Sequence, residues 1–397
     1  MTQLGHVWIV FVQTILRMLP FPCKTGLIEI GRPGRDAPVL LTGNFRLTVE
    51  RVKRSLRGID AYLLVANSRG VNVWCAATGG LLTNHDVVSV LKTSGIEARV
   101  DHRRVTLPQL AATGIEGPTV RRKTGWTVVW GPVEAASLPE FFRRGGTATQ
   151  AMRTVTFAWP RRLEMAVAWA FPISLLGALL VAPFWAAAAV PVVCLVWGMS
   201  LLLFLGFPLF EGRDRESSTG VGFVFLDFGP RGAPLVAWVA FNSALVAWQA
   251  WSGDLSWQSL LAWGSCSLVV LAVLGIDLMG STPHYKSGLH EDRKLRIVLE
   301  EAKCRGAGFC EQVCPTRVFD IDRERRLALL PRVGACVQCG ACVVQCPFDA
   351  LHFEEPDGSV IAAETIRHFK LNLVGKRLVK TGEVGAGTDT DASPGSA

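Results

Sequence analysis

From Met165 to Phe210 the chain carries no charged residue. Wound into a single helix, that run would reach roughly 69 Å, about twice the hydrocarbon thickness of a bilayer, so it must turn back once. Pro183, near its middle, marks the turn. A second apolar block, Gly232 to Ile276, is interrupted only by Asp254, inside the polar patch Ser252–Ser256. Two doubled spans predict a four-helix transmembrane bundle over 160–279, with helices near 165–184, 187–209, 232–251 and 258–276. Basic residues give its orientation. Arg143, Arg144, Arg161 and Arg162 precede the first helix, Arg213, Arg215 and Arg231 lie between the second and third, and Lys286, Arg293 and Lys294 follow the fourth. The other two connections hold no Lys or Arg. This alternation is what the positive-inside rule requires of a multi-pass protein of the cytoplasmic (inner) membrane whose soluble domains both lie on the cytoplasmic side. A single large soluble helical core is the alternative, and it gives no reason for the alternation.

Composition agrees. Half of the 397 residues are apolar and 19% are charged, against about 25% charged in an average soluble domain. Extensive disorder and one ordinary soluble domain are both excluded. The formal charge of +8 reads as membrane orientation rather than nucleic-acid binding. Membrane lipid is therefore an expected partner, and nucleic acid is not.

Residues 36–150 read as an α/β domain of Rossmann-like type. Val39–Leu41 is a short strand running into Thr42-Gly43-Asn44, and Asn44 is placed to cap a helix whose apolar face is Phe45, Val49, Val52 and Leu56. Ala61–Ala66 and Trp126–Trp130 are apolar runs of strand length, as expected for parallel strands buried on both faces. Leu82–Thr93 reads as a second helix. Ligands are expected beyond the carboxyl ends of such strands, where Val65–Gly80 lies. Residues 1–35 form an N-terminal amphipathic or interfacial segment. Its apolar run Val7–Leu19 is too short to span, so it lies along the membrane or packs on the α/β domain. That run has no basic leader, contains Arg17 and lacks a small-residue cleavage site, so it is not read as a signal peptide. Residues 380–397, rich in Gly, Ser, Thr and Asp, predict a disordered tail.

Seven of the 11 cysteines fall between Cys304 and Cys346. In a reducing compartment such crowding points to metal-bound thiolates rather than disulfides. Cys336, Cys339, Cys342 and Cys346-Pro347 match the bacterial ferredoxin spacing, in which three cysteines hold one cluster and the fourth reaches across to the other. Cys304, Cys310 and Cys314-Pro315 repeat the offsets, with Ala307 where the second cysteine belongs. Residues 295–360 are thus expected to be an α+β dicluster ferredoxin domain. One [4Fe–4S] cluster is assigned Cys314, Cys336, Cys339 and Cys342. The other site has only Cys304, Cys310 and Cys346, which fits a [3Fe–4S] cluster or a labile [4Fe–4S] cluster. A zinc knuckle is the alternative, but two interlocked runs each closed by Cys-Pro argue for iron–sulfur and one-electron transfer.

Cys75 sits in Asn72-Val73-Trp74-Cys75-Ala76-Ala77, just past a strand end. Taken alone, a cysteine there reads as packing before it reads as a ligand. There is no Walker A loop and no dinucleotide glycine fingerprint. The hexapeptide, however, resembles the cap-helix signature of the membrane corrinoid protein of microbial mercury methylation. The similarity extends to Pro38–Asn44, Asp60–Gly70, His102-Arg103-Arg104, Leu107–Leu110, Gly131-Pro132, Gly280-Ser281-Thr282 and the region of Tyr285. Cys336–Cys342 is similar to that family's partner ferredoxin, so the whole resembles a fusion of the two. The resemblance implies a corrinoid (cobalamin-like) cofactor, Cys75 as catalytic cobalt axial ligand, and Asn72, Trp74, Thr42, Gly43 and Asn44 as the cofactor's surroundings. It further implies a corrinoid iron–sulfur methyltransferase. Its partners would be a methyl-donor protein or methyl-folate and a low-potential electron donor, and its acceptor would be Hg(II) or another metal or metalloid. Two features depart from methylating members. Thr78-Gly79-Gly80 replaces a continuation of small residues ending in lysine, and no cysteine follows Cys346. Corrinoid binding and reduction are thereby separated from mercury as the acceptor, and a paralogue with another acceptor is the corresponding expectation. A membrane electron carrier without corrinoid is the competing function. The basic runs His102-Arg103-Arg104 and Arg121-Arg122-Lys123 read as a solvated face beside an anionic membrane before they read as contacts to a cofactor phosphate.

Overall fold

The computed structural model describes residues 3–17, 19–210, 233–253, 255–278, 295–355 and 357–368. The predicted tail, Gly280-Ser281-Thr282, Tyr285, Asp254 and the basic residues at 213, 215, 231, 286, 293 and 294 lie outside these residues.

The chain opens with helix α1 (Gln3–Ile15) and strand β1 (Gly26–Ile30). Then follow β2 (Val39–Gly43), α2 (Arg46–Ser55), β3 (Ala61–Ala66), α3 (Val73–Thr78) and α4 (Asn84–Thr93). Next come β4 (Arg104–Leu107), the 3-10 turn Gln109–Thr113, α5 (Gly117–Thr124) and β5 (Thr127–Trp130). These five strands form one sheet in the order β1-β3-β2-β4-β5. The pairs among β3, β2, β4 and β5 are parallel, and only β1 runs antiparallel, on β3. Leu63, Leu64 and Val65 of β3 are fully buried, and each side chain of this kind contributes about 1.5–3 kcal/mol on leaving water.

Two expectations are corrected. Residues 26–30, assigned to the interfacial segment, are an edge strand of the sheet. Asn44 does not cap α2: the N-cap position is Phe45 and no side chain bonds there. Asn44 Oδ1 instead accepts from Ser68 N (2.9 Å), Gly70 N (2.9 Å) and Ser68 Oγ (3.1 Å). It is spent on the loop that leads into α3. The N-terminal helix α1 packs on α2 and on a long apolar helix described next.

After the short helices α6 (Leu138–Arg143) and α7 (Gln150–Arg153) comes α8 (Trp159–Val181), then α9 (Ala189–Leu205) and α10 (Phe207–Phe210). The pair α11 (Ala233–Ser252) and α12 (Trp257–Leu278) completes the apolar part. Three stretches, 159–181, 186–205 and 257–274, are long and apolar enough to cross a membrane. Contacts among the apolar helices are partly polar: Trp197 Nε1 of α9 donates to Ser174 Oγ of α8 (3.1 Å), and Trp238 Nε1 of α11 donates to Ser267 Oγ of α12 (2.9 Å). Large apolar side chains such as Leu176, Leu179, Val190 and Trp251 point outward and are exposed.

The last unit holds β6 (Arg296–Leu299), α13 (Phe309–Val313), the hairpin β7 (Asp320–Asp322) and β8 (Leu327–Leu329), and α14 (Ala341–Gln345). It ends with β9 (Leu351–Glu354), β10 (Val360–Ile361) and α15 (Ala363–His368). The central strand β9 pairs antiparallel with β6 and β10.

Candidate functional site

At the carboxyl ends of β2 and β4 lies a cavity of about 240 Å³ whose wall includes Thr42, Asn72, Trp74, Pro108, Gly131 and Arg51. Its roof is the start of α3. That helix is only six residues long, so its first turn depends on its cap. Asn72 Oδ1 accepts from Cys75 N at 3.0 Å, and Thr78 Oγ1 donates to Trp74 O at 2.8 Å. Close approach fixes the rest. A Cβ on Gly43 would stand 2.5 Å from Ser68 Oγ, and one on Gly114 would stand 2.6 Å from Ala77 O. Replacing Asn72 by alanine should therefore cost about 0.5–2 kcal/mol of stability and show as a lower thermal midpoint.

Of the residues singled out from the sequence, Thr42, Asn72 and Trp74 line the cavity, whereas Gly43, Asn44 and Cys75 do not. Cys75 is the next residue along α3 and is half-buried. Two buried polar atoms on the wall, Thr42 Oγ1 and Trp74 Nε1, have no hydrogen-bond partner. A buried donor left unpaired costs on the order of 1–3 kcal/mol. Both therefore suit a cavity that takes a polar ligand.

The sequence did not reveal the charge on this wall. Glu164 receives Arg51 Nη2 at 2.7 Å, Arg161 Nη1 at 2.9 Å and Arg17 Nη1 at 3.4 Å, and Arg161 also pairs with Glu134 at 2.7 Å. These three cations and two carboxylates leave one positive charge beside the cavity. Burial pushes the Arg51 guanidinium below its ordinary range, and Glu164 opposes that shift. The basic runs read from the sequence lie elsewhere. Arg103 stacks 5.6 Å over Trp126. Arg121, Arg122 and Lys123 occupy the last turn of α5, where cations favour the helix dipole.

The cluster cysteines fall into two groups. Cys339 and Cys342 share their surroundings with Cys314 and Cys336, and Cys310 with Cys346 and Cys304, while Cys342 also feels Cys310 across the gap between the groups. Burial raises all three of the thiols at 310, 339 and 342, that of Cys310 to about 12, and the neighbouring sulfurs raise them further. Backbone amides point at the sulfurs: Val318 N to Cys314 (3.3 Å), and Ala328 N to Cys304, Gln338 N to Cys336 and Ala350 N to Cys346 (each 3.4 Å). Such bonds tune the potentials of iron–sulfur clusters. Among the described residues no three ligating side chains converge on a single ion; a cubane spreads its thiolates over separate corners. Ala307 lines a void of about 20 Å³ together with Cys304, Cys310 and Cys346.

With this geometry established, comparison with known proteins adds kinship. Residues 16–142 match the family model described as CO dehydrogenase/acetyl-CoA synthase delta subunit, and residues 303–350 match the 4Fe-4S dicluster domain. The chain is similar to two families, one for the α/β unit and one for the ferredoxin-like unit. The gamma subunit of the acetyl-CoA decarbonylase/synthase complex of Methanopyrus kandleri is 37% identical over 129 residues, 32% of this chain and 28% of that protein. The gamma subunit from Archaeoglobus fulgidus is 36% identical over 121 residues, 30% and 25% of the two chains. That from Methanothermobacter thermautotrophicus is 36% identical over 124 residues, 31% and 27%. The chain thus spans under a third of the length of the curated relatives it matches.

Proposed function

We propose that the chain is a membrane-anchored corrinoid protein with its own two-cluster electron donor. It receives a methyl group from a donor protein or methyl-folate and passes it to an electrophilic acceptor, Hg(II) or another metal or metalloid. The observation that carries the reading is the capped helix of Cys75 above a cavity with unpaired polar atoms and one excess positive charge. These residues fit a corrinoid. The cavity is smaller than the range of about 300–1,000 Å³ for whole-ligand pockets, so it suits the nucleotide arm rather than the macrocycle.

A bound corrinoid supplies a cobalt that accepts and releases methyl; the protein supplies ligation, shielding and electrons. In this reading the Cys75 sulfur ligates the metal and the Asn72 cap holds that turn in place. Trp74 Nε1 and Thr42 Oγ1 donate to the arm, and the net charge beside Arg51 balances its phosphate. The cysteines at 314, 336, 339 and 342 hold a [4Fe–4S] cluster, and those at 304, 310 and 346 a [3Fe–4S] or labile [4Fe–4S] cluster. Fusion raises the effective concentration of the donor beside the cobalt.

Anaerobic reconstitution tests the reading. About one cobalt per chain and a corrinoid absorption band are expected; neither, with both clusters in place, would leave a membrane electron carrier. The topology has its own check. Reporter fusions after Phe184 and Gly253 should report the outer face, and fusions near Arg215 and Lys286 the cytoplasm, as the basic residues require. An outward ferredoxin unit would sink the arrangement.

A further inference from the structure

We infer that Gln345 latches the ferredoxin-like unit onto the α/β unit with the four-cysteine site inward, so that electrons enter at the three-cysteine site and leave from Cys314, Cys336, Cys339 and Cys342. The electron-transfer part rests on the proposed function; the latch and the order do not.

Gln345 is 2% exposed, yet its amide is fully used by the other unit. Nε2 donates to Ala112 O at 2.8 Å and to Ile115 O at 2.5 Å, and Oε1 accepts from Gly117 N at 3.2 Å. These are the orphan groups where the turn Gln109–Thr113 ends and α5 begins. A second tie is Val155 N to Pro315 O at 2.9 Å, beside Cys314. Val313 and Ala341 are buried in the core of the α/β unit, and Cys339 packs against that core. Among the described residues the three cysteines of the three-cysteine site pack within the ferredoxin unit, as do Cys314, Cys336 and Cys342, so Cys339 is the cysteine set against the α/β core; the void at Ala307 is walled by residues between 299 and 351. The turn Gln109–Thr113 also packs on α3, which carries Cys75. The spatial order is therefore three-cysteine site, four-cysteine site, turn, α3.

With the sites loaded, Cys304, Cys310 and Cys346 would hold the cluster that takes one electron from an outside low-potential donor, Cys314, Cys336, Cys339 and Cys342 the cluster that takes it next, and Cys75 the cobalt that would receive it.

Two measurements on the full chain test this. First, a soluble chelated dysprosium ion should shorten the electron-spin relaxation of the three-cysteine cluster more than that of the four-cysteine cluster, with or without corrinoid. Equal effects, or the reverse, would overturn the order. Second, Gln345→Leu leaves two carbonyls and one amide unpaired. Amide exchange at 112–117 should rise about tenfold or more, and the relaxing agent should gain access to the four-cysteine cluster while iron content stays unchanged. Unchanged exchange and relaxation in this variant would remove the latch. If the wild type binds no corrinoid, the proposed function fails, but both measurements still decide latch and order. Where corrinoid is bound, its reduction by titanium(III) citrate should slow about tenfold in the variant, with cluster reduction unaffected.

Discussion

Replacing Cys75 with alanine is expected to abolish methyl transfer and to leave both clusters in place. The substitution deletes the thiol on α3 proposed to hold cobalt but none of the seven cysteines proposed to hold iron. The helix itself should survive, because its Asn72 cap bonds the backbone of residue 75 rather than its side chain, and alanine is the best helix former. Loss of the proposed metal ligand should exceed the roughly 10–100-fold that loss of an outer-shell partner costs. Turnover and the visible spectrum of the reconstituted protein measure it, with iron content as the internal control. A variant with unchanged spectrum and turnover would remove the sulfur from the ligand role.

The second large effect is a gain. Ala307→Cys should turn the three-cysteine site into a full four-iron site, giving about eight irons per chain where the mildly oxidised wild type holds about seven. The backbone is already shaped for it. Gly306 and Gly308 flank the position with φ of +64° and +76°, and a Cβ on Gly306 would stand 2.6 Å from the Arg326 carbonyl carbon. The Ala307 side chain already faces a void shared with Cys304, Cys310 and Cys346. In electron paramagnetic resonance the oxidised wild type should show a three-iron signal, and the variant should lose it. Eight irons in the wild type, with no three-iron signal on mild oxidation, would mean that a non-cysteine ligand completes the site.

What could be read from the sequence follows from how local each cause is. The strands at 39–43 and 61–66 were visible as apolar runs because parallel strands covered on both faces have no polar side to show; β5 was visible as one too, although it is an edge strand not buried on both faces, with Thr127 exposed and Val128 and Val129 half-buried. Edge strand β1 was not, since Gly26-Leu-Ile-Glu-Ile30 is short and exposed enough to pass for an interfacial segment. β4 was hidden behind its own basic flank, His102-Arg103-Arg104. Asn44 sat where a cap belongs, but its oxygen serves Ser68 and Gly70, 24 and 26 residues away. The cations beside the cavity come from α8, α2 and the segment after α1, three stretches with no common motif. Gln345 was the least legible. Between Cys342 and Cys346 it reads as a spacer, and nothing local announces partners on the α/β unit.

Those partners are also far apart in time. Gly117 and Gln345 are separated by 228 residues. At about 5–20 residues per second, ribosomal synthesis takes roughly 11–46 seconds to cover that distance. Throughout that interval the amide of Gly117 and the carbonyls of Ala112 and Ile115 have only water to bond, while the apolar helices between the two units are being made. The contact that joins the two ends of the molecule is therefore among the last to form in the life of each newly made chain.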